Sequence, residues 1–248
     1  MMRLKDRVAI VTGGAKRIGK VYAQTLAREG AKVVIADVAD GAPVEKEIAA
    51  KGGEALALRV DVADEASVQE MARRALERFG RIDILVNNAA LFMDIDRKPF
   101  YEIKAGEWDQ VMAVNVKGLF LCSKAVFPAM RARSWGRIIN ISSGVAFKGT
   151  PLYLHYVTSK GAVVSMTRAL AREVGDCGIT VNAMAPGNVI TEGRILDEEY
   201  KKRVEAERCL KRQQYPEDLL GTLIFLASDD SAFMTGQTIL IDGGSFMH

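Results

Sequence analysis

Short β-branched runs alternate with longer amphipathic stretches along nearly the whole chain. Val8-Ala9-Ile10-Val11 has the unbroken apolarity of a strand buried on both faces. Residues 18–29 then carry apolar side chains at helical spacing up to Gly30. A second strand is predicted at residues 32–36 and a second helix at 44–51, closed by Gly52 and Gly53. The strand pattern returns at residues 55–60, 82–87, 137–141, 180–185 and 238–241, with helical stretches between. Parallel neighbours in a sheet need long, right-handed crossovers, so this alternation predicts an α/β fold. The expected architecture is a single doubly wound parallel sheet of about seven strands with helices on both faces. No repeat, low-complexity tract or linker divides the chain, so residues 1–248 are read as one domain.

Two helical stretches are broader in their apolarity than one sheet face would cover. Residues 108–130 include Trp108, Val111, Val114, Leu119, Phe120, Leu121, Val126 and Phe127, and residues 161–170 include Val163, Val164, Met166 and Leu170. Either these helices lie deep within one chain or a second copy covers them; the second reading makes the protein a homo-oligomer.

Composition narrows the class. With 49% apolar residues in 248, a full core can be buried. The formal net charge of +3 is small and spread without a basic run, which argues against nucleic-acid binding. The polar start Met1-Met2-Arg3-Leu4-Lys5-Asp6-Arg7 does not resemble a signal peptide, and no run approaches the roughly 20 apolar residues of a membrane span. Cys122, Cys177 and Cys209 are widely spaced and odd in number, pointing to reduced thiols and a cytoplasmic location. With only His155 and His248 available as imidazoles, no metal site is expected.

The first strand runs into Thr12-Gly13-Gly14-Ala15-Lys16-Arg17-Ile18-Gly19 and then into a helix. A turn of this kind offers backbone N–H groups and a positive helix end to a phosphate, and glycine allows close approach. Asp37 ends the second strand, 18 residues after Gly19. A carboxylate there can accept hydrogen bonds from both ribose hydroxyls and would repel a 2′-phosphate, which favours NAD. Lys16 and Arg17 pull the other way, since two cations could hold the extra phosphate of NADP; Asp37 is given the greater weight.

Tyr156 and Lys160, four apart at the start of a helix, share one face. A tyrosine loses its proton near pH ~10, so a basic phenolate at neutrality needs its pKa lowered by about 3 units. A nearby ammonium supplies roughly 1–3 of these, and a cationic nicotinamide ring could supply the rest.

The surrounding residues make the chain resemble the short-chain dehydrogenase/reductase family over essentially its whole length. The matching pieces are Thr12-Gly13…Gly19, Asp61-Val62, Asn87-Asn88-Ala89-Ala90, Asn115, Asn140-Ile141-Ser142-Ser143, Tyr156…Lys160, Pro186-Gly187…Thr191 and Asp242-Gly243-Gly244. The resemblance implies a Rossmann-like, NAD(P)-dependent oxidoreductase, expected to be a homotetramer. It implies that Tyr156 exchanges a proton with the substrate, that Lys160 lowers its pKa and binds the nicotinamide ribose, and that Ser143 holds the reacting oxygen. Asn115 would hold a water that relays protons from Lys160. For the cofactor, it implies contacts from Gly13, Arg17, Ile18 and Gly19 at the diphosphate and from Asp61 and Val62 at the adenine. Asn88, Ala89 and Ala90 would line the adenosine ribose and diphosphate, Pro186 and Gly187 would also contact the cofactor, and Thr191 with the backbone at Val189 would hold the carboxamide. Arg17 and Ala90 stand where the family usually has glycine, which bears on cofactor affinity more than on activity.

The expected substrate pocket is walled by Leu91, Phe92, Val145, Phe147, Leu152 and Tyr153, with Val145 and Tyr153 as its contact residues. Residues 188–212 read as a lid, with Ile195, Leu196, Tyr200 and Val204 on one apolar side. Lys148 and His155 could favour an anionic substrate. Three functions fit: NAD-dependent oxidation of a secondary alcohol, NADPH-dependent reduction of ketones including 3-oxoacyl thioesters, and a silent nucleotide-sensing scaffold. An intact set of Asn115, Ser143, Tyr156 and Lys160 speaks against the last.

Overall fold

The computed structural model describes residues 2–93, 95–193 and 197–247. Seven strands, β1 (Val8–Thr12), β2 (Lys32–Asp37), β3 (Ala55–Arg59), β4 (Ile84–Asn87), β5 (Gly136–Ile141), β6 (Ile179–Pro186) and β7 (Thr238–Ile241), form one parallel sheet. Their order is β3-β2-β1-β4-β5-β6-β7. The helices between them are α1 (Arg17–Arg28), α2 (Ala42–Ala49), α3 (Glu65–Phe79), α4 (Ala105–Met112), α5 (Gly118–Ala132), α6 (Val145–Lys148), α7 (Leu154–Val174), α8 (Glu198–Ala206) and α9 (Leu220–Ala227).

Period-two alternation along the strands divides the core in two. Ala9 and Val11 of β1, Val33 and Ile35 of β2 and Ile84 and Val86 of β4 point to one face, where Tyr22 and Leu26 of α1 and Leu223 and Leu226 of α9 cover them. Ile10, Val34, Leu85 and Ile138 point to the other, under Met71 and Ala75 of α3 and Cys122, Val126 and Met130 of α5. With both faces covered, the central strands read as unbroken apolar runs.

The continuous stretch Ala105–Ala132 corrects the expectation that no segment could span a bilayer: by length and composition alone it is apolar enough. Leu121, Cys122, Val126 and Met130 are buried against the sheet, as in an interior helix of a folded domain. A π turn at Ala113–Lys117 joins α4 to α5 and places Asn115 in the interior.

Strand order reverses between β1 and β4, which opens a crevice at the carboxyl ends of the strands. Residues following every strand face that crevice.

Candidate active site

The crevice holds a cleft of about 900 Å³, at the upper end of the roughly 300–1,000 Å³ of ligand sites. Gly13 lines it after β1, Asp37 at the end of β2, Asp61 and Val62 after β3, and Asn88 and Ala89 after β4. Ser143 follows β5, Pro186, Gly187, Val189 and Thr191 come from β6 and its exit, and Asp242 follows β7. Arg17, Ile18, Gly19, Val145, Tyr153, Tyr156 and Lys160 complete the sequence-predicted set on its wall. One catalytic candidate lies behind the wall instead: Asn115.

At the first turn the backbone itself forms a cradle. Gly13 takes φ +64°, and a Cβ there would lie 2.9 Å from the Cα of Ala89; a Cβ on Gly19 would lie 1.9 Å from the Gly13 carbonyl oxygen. That absence of side chains, at the start of α1, fits a diphosphate approaching a helix N-terminus. Arg17 holds φ 53°, a left-handed conformation that costs a side chain about 1 kcal/mol or more. Thr12 ties this turn to the next: its Oγ1 accepts from the N–H groups of Asn88 and Ala89 at 3.0 and 3.1 Å. The Asn88 Nδ2 donates back to the carbonyls of Thr12 and Gly13 at 2.9 and 3.1 Å. Thr12 is a member of the site that the glycine pattern alone did not single out.

Asp37 is buried at the end of the cleft beyond the glycine turn. Its Oδ2 accepts from Ala15 N–H and its Oδ1 from Ala39 N–H, both at 3.0 Å. The carboxylate is thereby held rigidly, with lone pairs to spare for hydroxyl donors.

At the other end α7 presents Tyr156 and Lys160 one turn apart. The Lys160 Nζ lies 5.7 Å from the Tyr156 ring centre and donates to the carbonyl of Ile141 at 2.8 Å. Burial pushes the Lys160 ammonium down from 10.5 to about 8, because a charge in the interior loses its hydration. The two serines after β5 divide as alternation requires. Ser142 donates to the Lys160 carbonyl at 2.8 Å and pins the helix, while Ser143 lines the cleft beside Tyr156 and accepts from Val145 N–H at 3.4 Å.

The carboxamide of Asn115 is engaged on all sides. Its Oδ1 accepts from Leu91 N–H at 2.8 Å, and its Nδ2 donates to the Leu91 carbonyl at 3.2 Å and to Ser159 Oγ at 3.1 Å. The side chain of Asn115 thus clamps the loop after β4 to α7. Phe147 and His155, both expected near the substrate, do not line the cleft; His155 is buried, with burial lowering its pKa. Lys148 does line it, but is ion-paired with Glu207 at the end of α8. Of the expected lid side chains, Tyr200 and Val204 face the cleft, and Ile195 and Leu196 fall outside the described residues. Burial pushes the Cys122 thiol up to about 12, which leaves it unreactive. Among the described residues no cluster of histidine, cysteine and carboxylates could hold a metal ion.

Residues 13–245 match a family model described as enoyl-(acyl carrier protein) reductase. The chain is 39% identical over 246 residues to the 3-oxoacyl-[acyl-carrier-protein] reductase FabG of Staphylococcus epidermidis, covering 98% of this chain and 100% of that protein. It is 40% identical over 252 residues to (2S)-[(R)-hydroxy(phenyl)methyl]succinyl-CoA dehydrogenase subunit BbsD of Thauera aromatica, covering 98% of each. A crystal structure from Sinorhizobium meliloti, titled a "putative short-chain alcohol dehydrogenase", superposes with a TM-score of 0.93 at 34% identity over 98% of each chain.

Proposed function

The chain belongs to the short-chain dehydrogenase/reductase family, and on that premise we propose that it interconverts a secondary alcohol and a ketone with NAD as cofactor. It is an NAD(P)-dependent oxidoreductase acting on CH–OH groups. The observation that carries the finer reading is the buried pair of Tyr156 and Lys160 at one end of a cleft whose other end holds Asp37.

In the oxidation direction Tyr156, as phenolate, takes the hydroxyl proton while the carbinol carbon gives up its hydride. A bound oxidised nicotinamide, its carboxamide held by Thr191, would accept that hydride. Lys160 stabilises the phenolate with its ammonium and would hold the nicotinamide ribose. Ser143 donates to the reacting oxygen and balances its charge. Ser142 and Asn115 keep these groups in register without touching the substrate. Reduction runs the same proton in reverse.

Asp37 supports NAD, because a buried carboxylate fixed by two backbone N–H groups would face a 2′-phosphate directly. Lys16 and Arg17 line the same end and favour a second reading, NADPH-dependent reduction of 3-oxoacyl thioesters, the reaction in the name of the Staphylococcus relative. Kd values for NADH and NADPH decide between them; tighter NADPH binding overturns the weight given to Asp37. A panel of secondary alcohols with NAD, followed by absorbance of the reduced nicotinamide, tests the reaction class. Cofactor binding without turnover of any alcohol or ketone would leave only a nucleotide-sensing scaffold.

We further place additional copies of the chain, as a homotetramer, against the helical faces left open. Phe120 of α5 and Leu154 of α7 are 51% and 44% exposed, which supports such a contact. Light scattering in solution checks it. The three cysteines are free, which supports a reducing, cytoplasmic setting.

A further inference from the structure

The substrate end of the cleft is walled by apolar side chains such as Phe92, Leu152 and Val204, yet four cations besides Lys160 also line it: Arg97, Lys148, Arg203 and Arg208. Two of these are already engaged. Lys148 is paired with Glu207, and Arg208 donates to the carbonyls of Arg212 and Asn188 at 2.9 and 2.8 Å. The carboxylates on the same wall are engaged too, since Asp242 accepts from Gly244 and Ser245 N–H groups at 2.9 and 3.2 Å. Among the described residues, no carboxylate lies within ion-pair distance of Arg97 or Arg203.

Arg97 is the better placed of the two. Its guanidinium stacks 5.2 Å from the centre of the Tyr153 ring, and that ring lies 4.8 Å from the Tyr156 ring. The platform is rigid, because Tyr153 donates its hydroxyl to the Phe92 carbonyl at 2.9 Å. The Tyr153 ring is thus in contact with both the guanidinium and the phenol. The Arg97 guanidinium makes no side-chain hydrogen bond or ion pair among the described residues, and its forked N–H donors match a carboxylate. Arg203 stacks 5.0 Å over Tyr200 on α8, a ring with no such contact to Tyr156.

We propose that Arg97 binds a carboxylate carried on the substrate, so that the substrate is a hydroxy acid or oxo acid with an apolar body. This rests on the reading of Tyr156 as the group that meets the reacting oxygen. The short path from Arg97 to Tyr156 requires an anion only a few bonds from the carbinol carbon. The phosphates of an acyl carrier or coenzyme A thioester sit at the far end of a long arm and do not meet that requirement.

The test uses pairs of ketones, aromatic, alicyclic and linear, that differ only in carboxylate against methyl, such as 4-acetylbenzoate and 4-methylacetophenone. Binding to the enzyme–NADH complex is measured by calorimetry, and kcat/KM by reduced-nicotinamide absorbance, for wild type, Arg97→Leu, Arg97→Lys and Arg203→Leu. The wild type is expected to prefer the acids. Arg97→Leu is expected to cut that preference by roughly 10- to 100-fold, as for loss of a hydrogen bond between charged groups, through KM more than kcat. Arg97→Lys should restore part of it. Equal effects of Arg97→Leu on acid and neutral ketone overturn the proposal, as does a preference that follows Arg203. A phosphate-dependent preference for acetoacetyl-CoA over acetoacetyl-pantetheine that is lost in Arg97→Leu also overturns it. Selective binding of the acids without turnover of any ketone supports the anion site while refuting the reaction assigned to Tyr156.

Discussion

Replacing Lys160 by Met removes a buried ammonium from a site whose chemistry depends on it, so stability and activity should move in opposite directions. Burial lowers the Lys160 pKa from 10.5 to about 8, a disfavouring of the charged form by about 3 kcal/mol. Below about pH 8 the folded wild type carries that cost in full. Between about 8 and 10.5 the unfolded chain keeps the proton while the folded chain releases it, so wild-type stability rises with pH across that window. Methionine carries no charge and incurs no such cost. It does forfeit the hydrogen bond to the Ile141 carbonyl, worth about 1 kcal/mol. Lys160→Met is therefore expected to be about 2 kcal/mol more stable than wild type at pH 7, with the difference shrinking and then reversing as pH climbs towards 10.5. Urea unfolding of both proteins at a series of pH values measures the difference directly and cancels other titrating groups. Turnover should fall by about 10²- to 10⁴-fold, as for loss of proton-transfer assistance. A variant clearly less stable at pH 7, or a stability difference flat in pH, would refute the reasoning.

Four further substitutions probe the rest of the site. Gly19→Ala sets a methyl 1.9 Å from the Gly13 carbonyl oxygen and should weaken NAD binding by roughly 10- to 100-fold through forced displacement of the turn, read by calorimetry. Asp37→Ala should shift the ratio of NADH to NADPH affinity towards NADPH by at least about tenfold, equivalent to about 1.4 kcal/mol; an unchanged ratio would mean that Lys16 and Arg17 set the preference. Arg17→Gly relieves a positive φ and should raise Tm by a few degrees, in line with about 1 kcal/mol. Asn115→Ala strips both backbone partners of Leu91 and should cost about 2 kcal/mol in thermal unfolding, with kcat falling more than cofactor affinity.

The strand pattern was legible in detail because two-sided burial leaves unbroken β-branched runs: 238–241 was read to the residue, and the other strands within two residues of their observed ends. The placement of Ser143, Tyr156 and Lys160 on one cleft was also legible, since their spacing after β5 and along one helix brings them to the same wall. What remained hidden depended on contacts between distant parts of the chain. The π turn at Ala113–Lys117 has no periodicity of its own, so the clamp of the Asn115 side chain on Leu91 gave no sign in the sequence. Lys148 read as a free cation because nothing in the sequence joins it to Glu207. His155 sits beside Tyr156 in sequence, but the next position on a helix points about 100° away, and the ring is buried out of the cleft. Arg97 carries no signal in the sequence, because its place over Tyr153, beside Tyr156, depends on a contact made only in the fold.

The most direct measurement is the pH dependence of kcat/KM for alcohol oxidation with NAD, in wild type and in Tyr156→Phe. The wild-type rate should rise with pH as the phenol gives up its proton, well below the ordinary tyrosine value near ~10, and Tyr156→Phe should keep about 1% of it or less. A phenylalanine variant that oxidises alcohols at near wild-type rate, with the same rise, would place the base elsewhere and contradict the assignment.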